Sequence, residues 1–171
     1  MSSDEAFVLQ VLAALKAVRL EAIVVGNVAA ILQGAPVTTQ DIDLLVRDTP
    51  RNKTKIEAFG GLLGSRPRQV STLDRALRID LPGGTVDLLF DEIPGGLTFQ
   101  ALRARSVRLS LVDQEAVVAR RDDVIASKEA ADRPKDRAHL PMLRDTLRVK
   151  NALEPSAEVK PPARKSLKRR R

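Results

Sequence analysis

Apolar positions along the chain follow two periods, and the switches between them mark its elements. Over residues 4–20 they recur at helical spacing, at Phe7, Val8, Val11, Leu12, Leu15 and Val18, which predicts a core-packing helix. Ser3 or Asp4 can cap its start, and the acids of its first turn complement the helix dipole. Ile23–Val25 has no polar position and reads as a central strand. Gly26 and Asn27 break it. Val28–Gln33 then reads as a short apolar helix closed by Gly34, and Ala35–Gln40 as a loop. Ile42–Val46 is the second strand. Thr49-Pro50 opens the next helix with a hydroxyl cap and a proline in the first turn, and Gly60-Gly61 is expected to stop it just after Phe59.

Further along, the period shortens to two. Ala76–Leu81 and Thr85–Phe90 flank Pro82-Gly83-Gly84, a hairpin signal. Asp91–Gly96 reads as a loop, Val107–Val112 as a strand with one wet face, and Ala116–Ala119 as a short strand after a turn at Asp113-Gln114. From Arg121 the pattern is helical again. Asp122 or Asp123 can cap a helix to Ala131, and Arg133-Pro134 opens a last helix to Leu153. One unit therefore spans residues 1–154, with a core over 20–120 and C-terminal helices over 121–154. Residues 155–171 have nothing to bury and are expected to be disordered alone. No internal repeat is visible.

Composition narrows the class. At 171 residues, 43% hydrophobic and 30% charged, the chain suits one soluble domain. It has no cysteine, which excludes disulfides and thiolate metal sites. The acidic start, MSSDEAFVLQ, lacks the layout of a signal peptide, and no apolar run approaches the ~20 residues that span a bilayer. A cytoplasmic protein with no membrane partner is expected. The formal net charge of +7 resides in the end of the chain, where residues 160–171 carry seven Lys and Arg and no acid. The other 22 basic and 22 acidic side chains cancel. A polyanion would therefore find the body neutral and the tail basic.

Three local features carry candidate chemistry. Gly26-Asn27 sits at a strand-to-helix junction, where backbone amides can approach a phosphate; a plain glycine turn is the alternative. Asp41 and Asp43 flank Ile42, so on a strand they share one face. Paired acids on a strand are often simply solvated. Here Ile42, Leu44, Leu45 and Val46 mark a buried strand, where two carboxylates repel unless a cation sits between them. Their hard oxygens suit Mg²⁺ or Mn²⁺. Asp87 repeats the anomaly inside the apolar strand Thr85–Phe90, with Asp80 as a rival third acid or a turn residue. Three carboxylates on neighbouring strands could hold two divalent ions about 4 Å apart, and Asp87 could accept a proton from an attacking hydroxyl.

The order Gly26-Asn27, Thr39-x-Asp41-Ile42-Asp43, Asp87 resembles the polymerase-β-type nucleotidyltransferases, in particular the minimal branch of bacterial toxin–antitoxin and abortive-infection systems. Lys128 followed by Arg133-Pro134-Lys135-Asp136 is similar to the lysine and Arg-x-Lys-Asp segment of the abortive-infection toxins. The likeness covers roughly residues 20–150. It implies an α/β (α+β) fold, a mixed β-sheet flanked by helices with C-terminal helices added. It also implies that Asp41, Asp43 and Asp87 bind metal, that Gly26, Asn27 and Thr39 face the nucleoside triphosphate, that Lys128 reaches its phosphates and that Asp136 orients Lys128 or the nucleotide. The plainer reading of 128–137 is a solvated helix surface with ion pairs such as Lys128–Asp132. Two positions depart from the pattern: Asn27 stands where the family has serine or glycine, and His139 where the toxins have another aspartate.

The implied reaction is Mg²⁺-dependent transfer of a nucleoside monophosphate from a nucleoside triphosphate to an acceptor hydroxyl. The resemblance and the basic tail point to RNA, the tRNA 3′ end above all, with a cognate antitoxin protein as a further partner. With four phenylalanines and no Tyr or Trp, RNA contact would run mainly through phosphates rather than stacked bases. A catalytically degenerate regulatory partner and an antibiotic-modifying enzyme with a small-molecule acceptor are the alternatives.

Overall fold

β1 (Ile23–Val25) and β2 (Asp41–Val46) lie antiparallel near the middle of a seven-stranded sheet. Ile23, Leu44, Leu45 and Val46 are completely buried there, which is why this stretch reads as almost unbroken hydrophobic sequence. The computed structural model describes residues 3–70 and 75–153. The expectations for residues 155–171 lie outside the described residues.

The chain begins with α1 (Ser3–Val18), whose Phe7, Val11, Leu12 and Leu15 are buried as their spacing predicts. After β1 comes α2 (Gly26–Ile31), then β2 and α3 (Pro50–Leu62). Thr49 caps α3, its hydroxyl accepting from the Asn52 amide at 3.2 Å. α3 does not stop at Gly60-Gly61. A Cβ on Gly60 would lie 2.7 Å from the Pro67 ring, so Gly60 serves close packing inside the helix. The helix ends at Leu62 with Leu63 as its C-cap, followed by Gly64 in the left-handed region.

β3 (Arg68–Gln69) pairs with β4 (Ala76–Leu81), and β4 pairs with β5 (Gly84–Phe90) around the expected turn at Pro82-Gly83. Asp80 is therefore a strand residue rather than a turn residue, exposed and paired with Arg68 at 2.5 Å. The expected loop at 91–96 instead contains β6 (Glu92–Ile93), which pairs with β7 (Leu97–Thr98). α4 (Phe99–Arg105) follows, capped by the Thr98 hydroxyl. Its seven residues bury only Phe99 and Leu102, too few positions for periodicity to reveal it. β8 (Val107–Leu111) and β9 (Gln114–Val118) form a hairpin at one edge.

α5 (Arg121–Ala131) starts after Arg120 with no side-chain cap. Asp122 and Asp123 lie in its first turn, and Asp123 is taken by Arg105 at 2.6 Å instead of capping. α6 (Pro134–Leu153) completes the described chain and continues through Pro141. The sheet order is β3-β4-β5-β2-β1-β9-β8. β2–β5 and β1–β9 are parallel and the other pairs antiparallel, so the sheet is mixed. α2 packs on α5, α5 on α6, and α1 on α3. Among the described residues, no helix is long and apolar enough to cross a membrane.

Candidate active site

Strand alternation sends Ile42 and Leu44 into the core and Asp41 and Asp43 to the other face of β2. The parallel register of β2 with β5 sets Asp43 opposite Asp87 and Asp41 opposite Thr85. The antiparallel register of β5 with β4 sets Asp87 opposite Arg78. Three strands thus carry acid, acid and base in a row across one face.

That face is the floor of a cleft of about 540 Å³. Gly26, Asn27, Thr39, Asp41, Asp43, Asp87, Lys128 and Asp136 all line it, so the residues chosen from sequence meet in one place. Asp80 does not line it. The structure adds Arg75, Arg78, Arg133 and Lys135 to the lining.

Gly26 and Asn27 end β1 as expected and at once form the first turn of α2, which therefore starts before Val28. Gly26 has φ +64°, and a Cβ there would fall 2.1 Å from the Asp43 carboxylate. Only glycine allows the start of α2 to lie directly on that carboxylate. Asn27 is partly buried and its side-chain oxygen has no hydrogen-bond partner. Thr39 turns the chain into β2: its hydroxyl accepts from the Asp41 amide at 3.2 Å. The Asp41 carboxylate accepts from the Thr85 hydroxyl at 2.7 Å.

Charge is unevenly balanced in the cleft. Burial pushes the Asp43 carboxyl up to about 6, and the carboxylates of Asp87 and Asp41 push in the same direction, against a smaller pull from Lys135 and Lys128. Asp87 is already paired, with the Arg78 guanidinium holding its two oxygens at 2.6 and 2.7 Å. The arginine is held in its charged form by those bonds. Among the described residues, no three Asp, Glu, His or Cys side chains already form a metal-binding cluster.

Lys128 and Asp136 are not the solvated helix surface of the plainer reading. Asp132, in the left-handed region, turns the chain sharply from α5 to α6 and brings the two side chains together at 3.0 Å. Asp136 is 0% exposed and also accepts from Arg133 at 2.7 Å. Burial works to raise its carboxyl, but the bonds from Arg133 and Lys128 prevail and hold it below the usual carboxylate range. Asp132 pairs with Arg137 instead of Lys128. His139 is partly buried with an unpartnered Nδ1 and does not line the cleft.

Arg78 and Lys135 line the cleft without standing out in the sequence. Arg78 had a signal: it and Asp87 lie equally far from the turn at Pro82-Gly83, so the hairpin faces them. Lys135 had only its place in the Arg-Pro-Lys-Asp segment.

No protein-family model matches the chain, and no curated protein matches it in sequence. Solved structures do match in shape. The crystal structure of ANT(2″)-Ia in complex with adenylyl-2″-tobramycin superposes with a TM-score of 0.62 at 17% identity, over 90% of this chain and 92% of that one. The solution structure of the same antibiotic-resistance factor gives 0.60 at 15% identity, over 88% and 85%. A Thermotoga maritima protein assigned as a nucleotidyltransferase gives 0.53 at 15% identity, over 87% and 91%. The mixed sheet, its flanking helices and these likenesses together establish that the chain has the nucleotidyltransferase fold.

Proposed function

We propose that the cleft is the active site of a divalent-metal-dependent nucleotidyltransferase, which moves a nucleoside monophosphate from a nucleoside triphosphate to an acceptor hydroxyl. The observation that carries this reading is the convergence of Asp41, Asp43 and Asp87 on one face, against the first turn of α2 and beside Lys135.

The donor set fits a hard cation. It is made of carboxylate oxygens, and the mutual repulsion and burial at Asp43 call for more positive charge than Lys135 and Lys128 supply among the described residues. Asp41 and Asp43 would hold Mg²⁺ or Mn²⁺, and Asp87 would join them when Arg78 lets go. Such an ion, when bound, neutralises developing charge on the phosphoryl oxygens.

The remaining roles fall to this chain's residues. Backbone amides of Gly26 and Asn27 face triphosphate oxygens, and the Asn27 side chain and Thr39 border the same space. Lys135 is exposed and free of ion pairs among the described residues, so it is the cation available to the β- and γ-phosphates. Lys128 is held by Asp136 and fixes where the α5–α6 turn stands. Asp87 takes the acceptor's proton as the acceptor oxygen bonds to the α-phosphorus. The bond from that phosphorus to the bridging oxygen breaks, and pyrophosphate leaves.

The acceptor divides the readings. A small hydroxyl compound is favoured by the likeness to ANT(2″)-Ia, whose crystal contains a nucleotidylated small molecule. RNA as acceptor, the tRNA 3′ end in a toxin–antitoxin setting with an antitoxin partner, rests on the basic residues 160–171. A non-catalytic role is disfavoured because all three acids are present and open to one cleft. Pyrophosphate release from each of the four nucleoside triphosphates, with Mg²⁺ and either total tRNA or a panel of small alcohols and aminoglycosides, tests the reading. Release with none of them would exclude it.

A further inference from the structure

A second cavity, of about 620 Å³, adjoins the first and shares Thr39 and Asp41 with it. Phe7 and Val8 of α1, Ile31 and Leu32 of α2, and Leu111 at the end of β8 form its apolar walls. Val8, Ile31, Leu32 and Leu111 pack against the core yet remain partly exposed, so part of their apolar surface faces the space. Val112, at the hairpin tip beside it, is 89% exposed.

The two cavities differ in charge. The first sets Arg75, Arg78, Lys128, Arg133 and Lys135 against as many acids, Asp41, Asp43, Asp87, Glu92 and Asp136. Among the described residues that line the second, none is Lys or Arg, while Asp4 and Glu5 border it at the start of α1 and Asp41 where it meets the cleft. A triphosphate or an RNA backbone is repelled by such a space. A cation with an apolar body suits it on both counts.

We infer that this groove is the acceptor subsite and takes a small cationic alcohol with an apolar body, an inference that rests on the nucleotidyltransferase reading. The apolar body lies along α1 and α2, the ammonium group faces Asp4, and the hydroxyl is presented where Asp41 joins the two cavities. The reaction is the one written above: the alcohol oxygen bonds to the α-phosphorus, its proton passes to Asp87, and pyrophosphate leaves.

Propranolol is a suitable probe because it combines a naphthyl ring, a hydroxyl and an ammonium group. Its binding to the full chain is followed by its own fluorescence, without nucleotide. The expected result is saturable binding, at least about tenfold tighter than that of the anion 1-anilinonaphthalene-8-sulfonate. Asp4→Lys and Leu111→Arg should each weaken propranolol by about tenfold or more, with Ser110→Arg at an exposed strand position as the variant least able to disturb folding. No saturable binding up to millimolar probe, equal binding of the anion, or indifference to all these variants would overturn the subsite. With Mg²⁺ and labelled nucleoside triphosphates, label should also reach propranolol. Labelling of tRNA without propranolol binding would overturn the subsite and leave nucleotidyl transfer standing. Propranolol binding without labelling of any acceptor would overturn nucleotidyl transfer, and the acceptor role with it.

Discussion

Arg78 holds both carboxylate oxygens of Asp87 across the β4–β5 ladder, at 2.6 and 2.7 Å. The proposed third metal ligand is thus occupied by the chain's own cation. Arg78→Ala should free Asp87 and raise the affinity for Mn²⁺ alone, measured by electron paramagnetic resonance of the free ion. It should also cost about 1–2 kcal/mol of stability, since charge-assisted bonds to a partly buried carboxylate are lost. Unchanged Mn²⁺ affinity would show that Asp87 takes no part in the metal site.

Asp43 makes stability depend on pH. Its carboxyl sits near 6 in the folded chain against an ordinary 3.8, so the folded state binds more protons between those values. Stability should fall as pH rises through that window, by about 3 kcal/mol in all, and the loss is complete above it. Urea denaturation of wild type and Asp43→Asn at pH 4 and pH 7.5, without divalent ions, checks this. The variant should be the more stable of the two at pH 7.5 and nearly equal at pH 4. Adding Mg²⁺ at pH 7.5 should stabilise wild type and leave the variant where it was.

Gly26 and Gly34 both have positive φ, +64° and +88°, but only Gly26 has a neighbour for a Cβ to strike. Alanine at either position should cost about 1–2 kcal/mol for the left-handed backbone. Gly26→Ala should in addition displace the Asp43 carboxylate and abolish Mn²⁺ binding. Gly34→Ala should leave Mn²⁺ binding intact, and equal loss in both would remove the reason given for the glycine.

Lys128 and Lys135 both line the cleft, yet removing the partner of one and the side chain of the other should have separate effects. Asp136→Asn leaves the buried Lys128 ammonium without its anion and should destabilise the chain by about 3–5 kcal/mol in thermal or urea unfolding. Lys135→Ala, at an exposed and unpaired position, should stay within about 0.5 kcal/mol of wild type. It should nonetheless weaken Mg²⁺–nucleoside triphosphate binding by about tenfold in calorimetric titration. Destabilisation by Lys135→Ala with unaltered nucleotide affinity would reverse the two assignments.

The central strands and the acids on them were legible in the sequence because local pattern decides them. Asp41 and Asp43 alternate with buried residues of β2, and Asp87 interrupts an apolar strand. The hairpin at Pro82-Gly83 was legible from turn chemistry. What escaped depends on contacts distant in sequence. Gly60 reads locally as a helix stop, but Pro67 packs against it. Asp123 reads as a cap, but Arg105 claims it. By local pattern Asp136 reads as surface, and only the family resemblance anticipates its contact with Lys128, which the left-handed turn at Asp132 makes. The acidic groove beside the cleft draws on α1, α2 and the β8–β9 hairpin, and no single stretch displays it.

The central claim is that the three-acid face transfers nucleoside monophosphates. It is tested most directly by incubating the full chain with each α-³²P-labelled nucleoside triphosphate, Mg²⁺ and the acceptor panel, beside Asp41→Asn/Asp43→Asn and a chelator control. Wild type is expected to place label on an acceptor with release of pyrophosphate, and both are lost in the double variant and in chelator. Label transferred equally by the double variant, or by no protein on any acceptor, would contradict it.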